Sequence, residues 1–241
     1  MKLDIQLPET LGEIPLKRYQ EFTKMKESSN DEEFIAQKMI QIFCGIDLKE
    51  VGKIKLKDLN GLILHFQKIF SSKPKLIRKF KIKNIEFGFI PKLDDITFGE
   101  CVDLEHHLQN WETYHKAMSA MYRPSTEKQK DLYLIRDYEP NEEMQELMKF
   151  APLDVAISSS VFFLNLGNEL LNLTVSYLKN ELTTMMSSSN LANATILENS
   201  GDGTVASMHL LKEILPNLTT LADLDLLNVS LISHSKSKKI K

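Results

Sequence analysis

The sequence predicts an α+β chain that is mainly helical: a helix bundle with a small antiparallel β-hairpin or sheet, followed by an extended C-terminal arm. Apolar residues recur at helical spacing through the first 70 residues and switch to strand alternation over residues 76–90. A third observation marks the end of the core. Near residue 183 the texture changes to Ser, Thr, Asn and small residues, so we expect a core domain over 1–182 and a flexible linker and arm over 183–241.

Taken in order, the alternating residues 2–7 suggest an edge strand. Pro15 is pre-organised to open a first helix whose face carries Tyr19, Phe22 and then Met25 or Lys26. The cluster after Ser28 offers several N-caps, among them Asn30 with Glu33 three residues on. Phe34, Ile35, Met39, Ile42 and Phe43 form the apolar face behind it, and Gly45 ends that helix. A third helix over residues 56–70 lines up Leu59, Leu62, Ile63, Phe66, Ile69 and Phe70.

In the next stretch Phe80 and Ile82 occupy even positions, while Ile85, Phe87 and Phe89 occupy odd ones. A single strand would put these sets on opposite faces. A two-residue turn at Lys83-Asn84 removes the conflict by setting Ile82 opposite Ile85, Phe80 opposite Phe87 and Lys81 opposite Glu86. Residues 132–138 are expected to add a further strand. Thr97-Phe-Gly-Glu100 reads as a capping box opening a helix through Leu108. A second helix is expected over residues 110–122, stopped by Arg123-Pro124. Asn141 caps a short helix, Pro152 opens a long one ending near Glu181, and residues 205–215 form a last short helix. Phe80, Phe87, Trp111 and Phe163 are expected in the core.

Composition excludes more than it selects. With 241 residues, 42% hydrophobic and 26% charged, the chain suits one sizeable core. A formal charge of −3 gives no global push toward nucleic acid or an anionic membrane. Cys44 and Cys101 are too few for a disulfide framework and read as reduced, buried thiols, in keeping with a cytosolic origin. The N-terminal residues lack the apolar core of a secretory signal, so the four Asn-x-Ser/Thr sequons are not expected to carry glycans. The apolar run 155–178 is interrupted by Ser158, Asn165, Asn168, Glu169 and Asn172, which argues for a buried or partner-facing helix rather than a membrane span.

No constellation of catalytic groups stands out. Glu105, His106, His107 and His115 do not form a His-Glu-x-x-His arrangement, and adjacent histidines on a helix point about 100° apart, so no metal or cofactor is expected. Asp94 and Asp95 precede a capped helix and read as turn residues. Gly201-Asp-Gly-Thr lacks the Lys-Ser/Thr ending of a phosphate loop. The strongest remaining signal is basic: Lys73, Lys75, Arg78, Lys79, Lys81 and Lys83 crowd the hairpin region. Such a ridge suits DNA phosphates or an acidic protein partner, and equally a solvated face that protects an edge strand.

The run from Phe89 through Asp94, Asp95 and Thr97 to Glu100, the spaced Trp111, and His115-Lys-Ala-Met with Met121-Tyr122-Arg123-Pro124 together resemble a family from tailed phages of Bacteroides-type hosts, including crAss-like phages. Pro152-Leu-Asp-Val-Ala and Phe162-Phe-Leu-Asn-Leu-Gly continue the pattern, so the likeness covers residues 75–180. The resemblance implies a role in virion morphogenesis. It points to a structural, non-enzymatic subunit of the head-to-tail connector: a homo-oligomeric ring in the neck of the virion, beneath the portal and around the DNA channel, made in the host cytoplasm. Portal and neighbouring tail proteins are then the partners, with DNA contact through the basic hairpin and none with membrane. A transient tail assembly chaperone is the alternative, and a DNA-binding protein the third. The motif residues Phe89, Asp94, Asp95, Trp111, Tyr122 and Arg123 are the interface candidates.

Overall fold

The computed structural model describes residues 5–129, 132–187, 227 and 229–232. Among these residues the architecture is α+β and mainly helical, with eight α-helices and one four-stranded antiparallel sheet. The chain divides into two compact units, one formed by residues 1–159 with 225–241 and the other by residues 160–224.

The first unit opens on a 3-10 turn, Leu11–Glu13, and helix α1, Leu16–Glu27. Its N-cap is Pro15, which has no side chain to cap with, yet the amides of Leu16 and Lys17 do find acceptors. They donate to the carbonyls of Ala151 and Lys149 at 2.9 and 2.7 Å, and Leu153 N returns a bond to Ile14 O at 2.8 Å. The start of the chain is thereby stitched to the loop that launches the last helix. Residues 5–7 are irregular rather than a strand; just beyond them the chain is held against a helix, where His65 Nε2 donates to Pro8 O at 2.8 Å.

Helix α2, Glu32–Cys44, is capped by Asp31, one of the several candidates in the cluster after Ser28, whose Oδ1 accepts from Glu33 N and Phe34 N. Gly45 ends α2 with φ of 67°, the left-handed conformation that favours glycine at this position. A one-turn helix α3, Leu48–Val51, leads to α4, Leu56–Phe70, at the bounds the periodicity predicts. Between α1, α2 and α4 lies an aromatic core. Phe43 stands at its centre, with ring centroids 5.2 Å from Phe22, 5.4 Å from Phe66 and 5.3 Å from Phe70.

Strands β1, Lys79–Ile82, and β2, Ile85–Phe89, form the predicted hairpin in the predicted register. Helix α5, Phe98–His107, starts at the complete Thr97–Glu100 capping box. Helix α6, Tyr114–Met121, begins four residues later than expected, because the Asn110 side chain accepts from Glu112 N and holds a turn there. Pro124 does not end regular structure: β3, Tyr122–Gln129, runs on through it and pairs with both β2 and β4, Leu132–Ile135, giving the order β1-β2-β3-β4. Phe80, Phe87, Phe89 and Tyr122 make a second aromatic cluster on the buried face. Asn141 caps α7, Glu142–Met148, through Met144 N at 3.1 Å.

Helix α8, Leu153–Ser187, runs past the expected end near Glu181. Within the first unit its opening turns bury Leu153, Val155, Ala156 and Ile157. The polar side chains there are satisfied: Ser158 Oγ accepts from Ile77 N at 3.2 Å, and Ser159 Oγ lies 3.0 Å from the Tyr114 hydroxyl. The described part of the second unit is the rest of α8, where Phe162 and Phe163 meet edge to face at 5.3 Å and Leu170, Leu173 and Tyr177 are exposed. Phe163 and Trp111, expected in the core, are both half-buried, and Cys101, expected buried, is exposed. No helix among the described residues is long and apolar enough to cross a membrane. The expected helix over 205–215 and the Gly201-Asp-Gly-Thr turn lie outside the described residues.

Candidate interaction surfaces

The basic ridge lies on the open edge of the sheet. Phe80 and Ile82 turn inward, so Lys79 and Lys81 turn outward on β1, the terminal strand. Part of that charge is already engaged. Lys79 Nζ sits 4.5 Å over the Tyr133 ring, and Lys81 Nζ is 4.0 Å from Glu86 on the partner strand. Lys73, Lys75, Arg78 and Lys83 are exposed. Lys81 too stays exposed beside Glu86, so the ridge presents charge along β1 as well as at its flanks, a pattern that also suits edge protection.

Of the motif residues, Phe89 and Tyr122 are buried and Trp111 and Arg123 half-buried. Phe89 and Tyr122 are buried together, and the Phe89 carbonyl accepts from the Tyr133 hydroxyl at 2.7 Å. The Tyr122 hydroxyl donates to Ile77 O at 2.8 Å; burial pushes its acidity well out of the usual tyrosine range, so it stays protonated. Trp111 stands edge to face with Tyr19 at 5.0 Å, and its carbonyl accepts from Gln20 Nε2 at 2.7 Å. The same Gln20 amide donates to His115 Nδ1 at 3.0 Å. Asp94 lies in the 3-10 turn Leu93–Asp95, and Asp95 is exposed with Lys92 3.7 Å away.

Arg123 pairs with Glu100, a carboxylate that also accepts from Thr97 N at 2.8 Å and Thr97 Oγ1 at 2.7 Å. Burial alone would raise the Glu100 pKa, but the Thr97 bonds and the guanidinium outweigh it and hold the carboxyl below its ordinary range. Tyr138 covers the pair, with its ring 5.9 Å from the Arg123 guanidinium and its hydroxyl donating to Asp103. Beside this network is a cavity of about 100 Å³ lined by Ser119, Tyr122, Arg123, Arg136 and Asn141. A larger one, about 340 Å³, lies among Thr10, Gly12, His65, Lys68, Ser72 and Asp154. Asp154 is half-buried, its pKa raised by that burial, and its carboxylate approaches so closely that a Cβ on Gly12 would lie 2.9 Å from it. No group of three His, Cys, Asp or Glu among the described residues is placed to hold a metal ion.

The surface that sequence reasoning missed is a groove on α1 and α4 that holds the C-terminal segment. Leu227 and Val229 are 2% and 5% exposed. Gln67 Nε2 donates to Val229 O at 2.7 Å, and Lys26 Nζ to Leu227 O at 3.5 Å. Asn60 grips both main-chain groups of Ile232: its Nδ2 donates to the carbonyl and its Oδ1 accepts the amide, each at 3.1 Å. Asn60 and Gln67 lie two helical turns apart, about 10.5 Å along the axis. Three residues of extended chain span about 10 Å, which is the step from Val229 to Ile232. The helix thus carries a ruler matched to an extended peptide running antiparallel to it. The signals in the sequence were faint: two amides on the polar margin of an amphipathic helix and an apolar Leu-Leu-Asn-Val run far downstream.

No family model, curated protein or solved structure matches this chain.

Proposed function

We propose that this protein is a structural subunit of a tailed-phage head-to-tail connector, forming a ring beneath the portal and working through its interfaces rather than by making or breaking bonds. The observation that carries the reading is the motif run from Phe89 to Pro124 and its likeness to phage morphogenesis proteins. Its polar groups are committed to holding the fold: Glu100 with Thr97 and Arg123, Trp111 and His115 with Gln20, and Tyr122 with Ile77. Such a run suits a rigid building block. Phe98, within the motif and 86% exposed, suits a subunit contact.

Portal and adjoining neck proteins are the proposed partners, and the exposed Lys73, Lys75 and Lys83 the proposed contacts to acidic protein or to channel DNA. Quantitative mass spectrometry of purified virions tests the reading. A fixed copy number per particle, in ratio to the portal, is the expected result. Absence from particles, with the protein found on tail components in the infected cell, would establish the assembly-chaperone alternative.

A further inference from the structure

We propose that the cavity of about 340 Å³ beside α4 binds a small zwitterion of the amino-acid class, with Asp154 holding its ammonium group and Lys68 its carboxylate. The inference goes beyond the connector reading and does not depend on it.

Both signs of charge line this one cavity, and they come from different parts of the first unit. Glu9, from the segment before α1, and Asp154, in the first turn of α8, supply the acid; Lys68 and His65 on α4 supply the base. Among the described residues no ion pair joins the two sets. His65 is committed elsewhere, since its Nε2 donates to Pro8 O at 2.8 Å, so the exposed Lys68 is the cation left to meet a ligand. A molecule carrying one charge of each sign complements such a lining, where a simple cation or anion would meet repulsion as well as attraction.

Asp154 is the more firmly built half of the site. Its Oδ1 accepts from Val155 N at 2.8 Å, while Oδ2 receives no hydrogen bond from the described residues. Oδ2 is the oxygen nearest Gly12, where an added Cβ would lie 2.9 Å from it, so the glycine leaves the carboxylate its room. Half-burial disfavours the ionised form of Asp154, and an ammonium group brought against Oδ2 offsets that cost. Leu11, Ile69 and Pro74 add apolar lining, which suits an aliphatic side chain, and the volume lies at the lower end of the range for small-molecule sites.

Isothermal titration of the full-length protein with L-leucine tests this, beside isopentylamine, which lacks the carboxylate, and isocaproate, which lacks the ammonium group. Saturable binding of leucine is expected, with each truncated probe weaker by about tenfold or more. Asp154→Asn should weaken leucine to a similar degree and leave isocaproate unchanged, whereas Lys68→Gln should weaken leucine and leave isopentylamine unchanged. Thermal melts check that the variants fold, and Gly12→Ala, whose Cβ displaces the Asp154 carboxylate, takes the place of Asp154→Asn if that variant does not. The inference is overturned if leucine shows no saturable binding, if either truncated probe binds as tightly as leucine, or if leucine affinity is the same in the Asp154 and Lys68 variants as in the parent. Copy number in virions bears on none of these outcomes, so the connector reading and this site stand or fall separately.

Discussion

A carboxylate buried at the start of a helix survives only where donors converge on it, and Glu100 receives Thr97 N, the Thr97 hydroxyl and Arg123. Removing the guanidinium leaves the carboxylate uncompensated, so Arg123→Met is expected to cost about 3 kcal/mol in chemical denaturation, with Glu100→Gln recovering part of the loss in the double variant. His115 gives a separate acid response. Burial, with Lys149 and Lys116 nearby and only Glu146 opposing, lowers its pKa to about 4, so it sits neutral and accepts from Gln20. A base with a depressed folded pKa contributes stability that is fully present above about pH 6.5 and fades as pH falls toward 4. Between pH 7 and 4.5 His115 alone is expected to remove about 2 kcal/mol, and His115→Gln should flatten that stretch of the stability profile. Glu100 acts lower down: its contribution holds above about pH 4.5 and is lost only as pH falls through its depressed folded value.

The hairpin shows how much an element can disclose in advance. Even and odd apolar sets that cannot share one strand forced a turn at Lys83-Asn84, and register followed from the turn. Lys83 carries the positive φ, 53°, that the loop requires. Lys83→Gly should therefore raise the melting midpoint slightly, by up to about 1 kcal/mol in stability, because glycine reaches that conformation without a Cβ clash. The opposite holds at Gly88, where a Cβ would lie 2.3 Å from a Tyr133 ring carbon. Gly88→Ala is expected to cost about 1 to 3 kcal/mol by forcing that ring away from the Phe89 carbonyl it bonds. Capping boxes and periodic helices such as α4 were equally legible because local chemistry decides them. Strand β3 was not. Pro124 does stop a helix, but its carbonyl accepts from Arg136 just past the end of β4, so the donor it lacks falls at the sheet margin and the strand continues. Trp111 misled in another way, since its role is one aromatic edge and one backbone carbonyl, which half-burial satisfies.

For the molecule as a whole, the question is how firmly the C-terminal segment holds its seat. Burying Leu227 and Val229 contributes about 4 kcal/mol and the four hydrogen bonds about 4 more, against about 8 for ordering the five described residues of the segment. The balance is near zero, so the contact is expected to open more readily than the aromatic core around Phe43. This is why the groove was illegible in the sequence: no local pattern encodes a marginal contact between α4 and a segment over 150 residues downstream. It also yields a measurement. Native-state hydrogen exchange should find the Ile232 amide protected by orders of magnitude less than those of Ile63 and Phe66 in α4. Protection of Ile232 equal to that of Ile63 and Phe66 would mean instead that the segment is held as firmly as α4 itself.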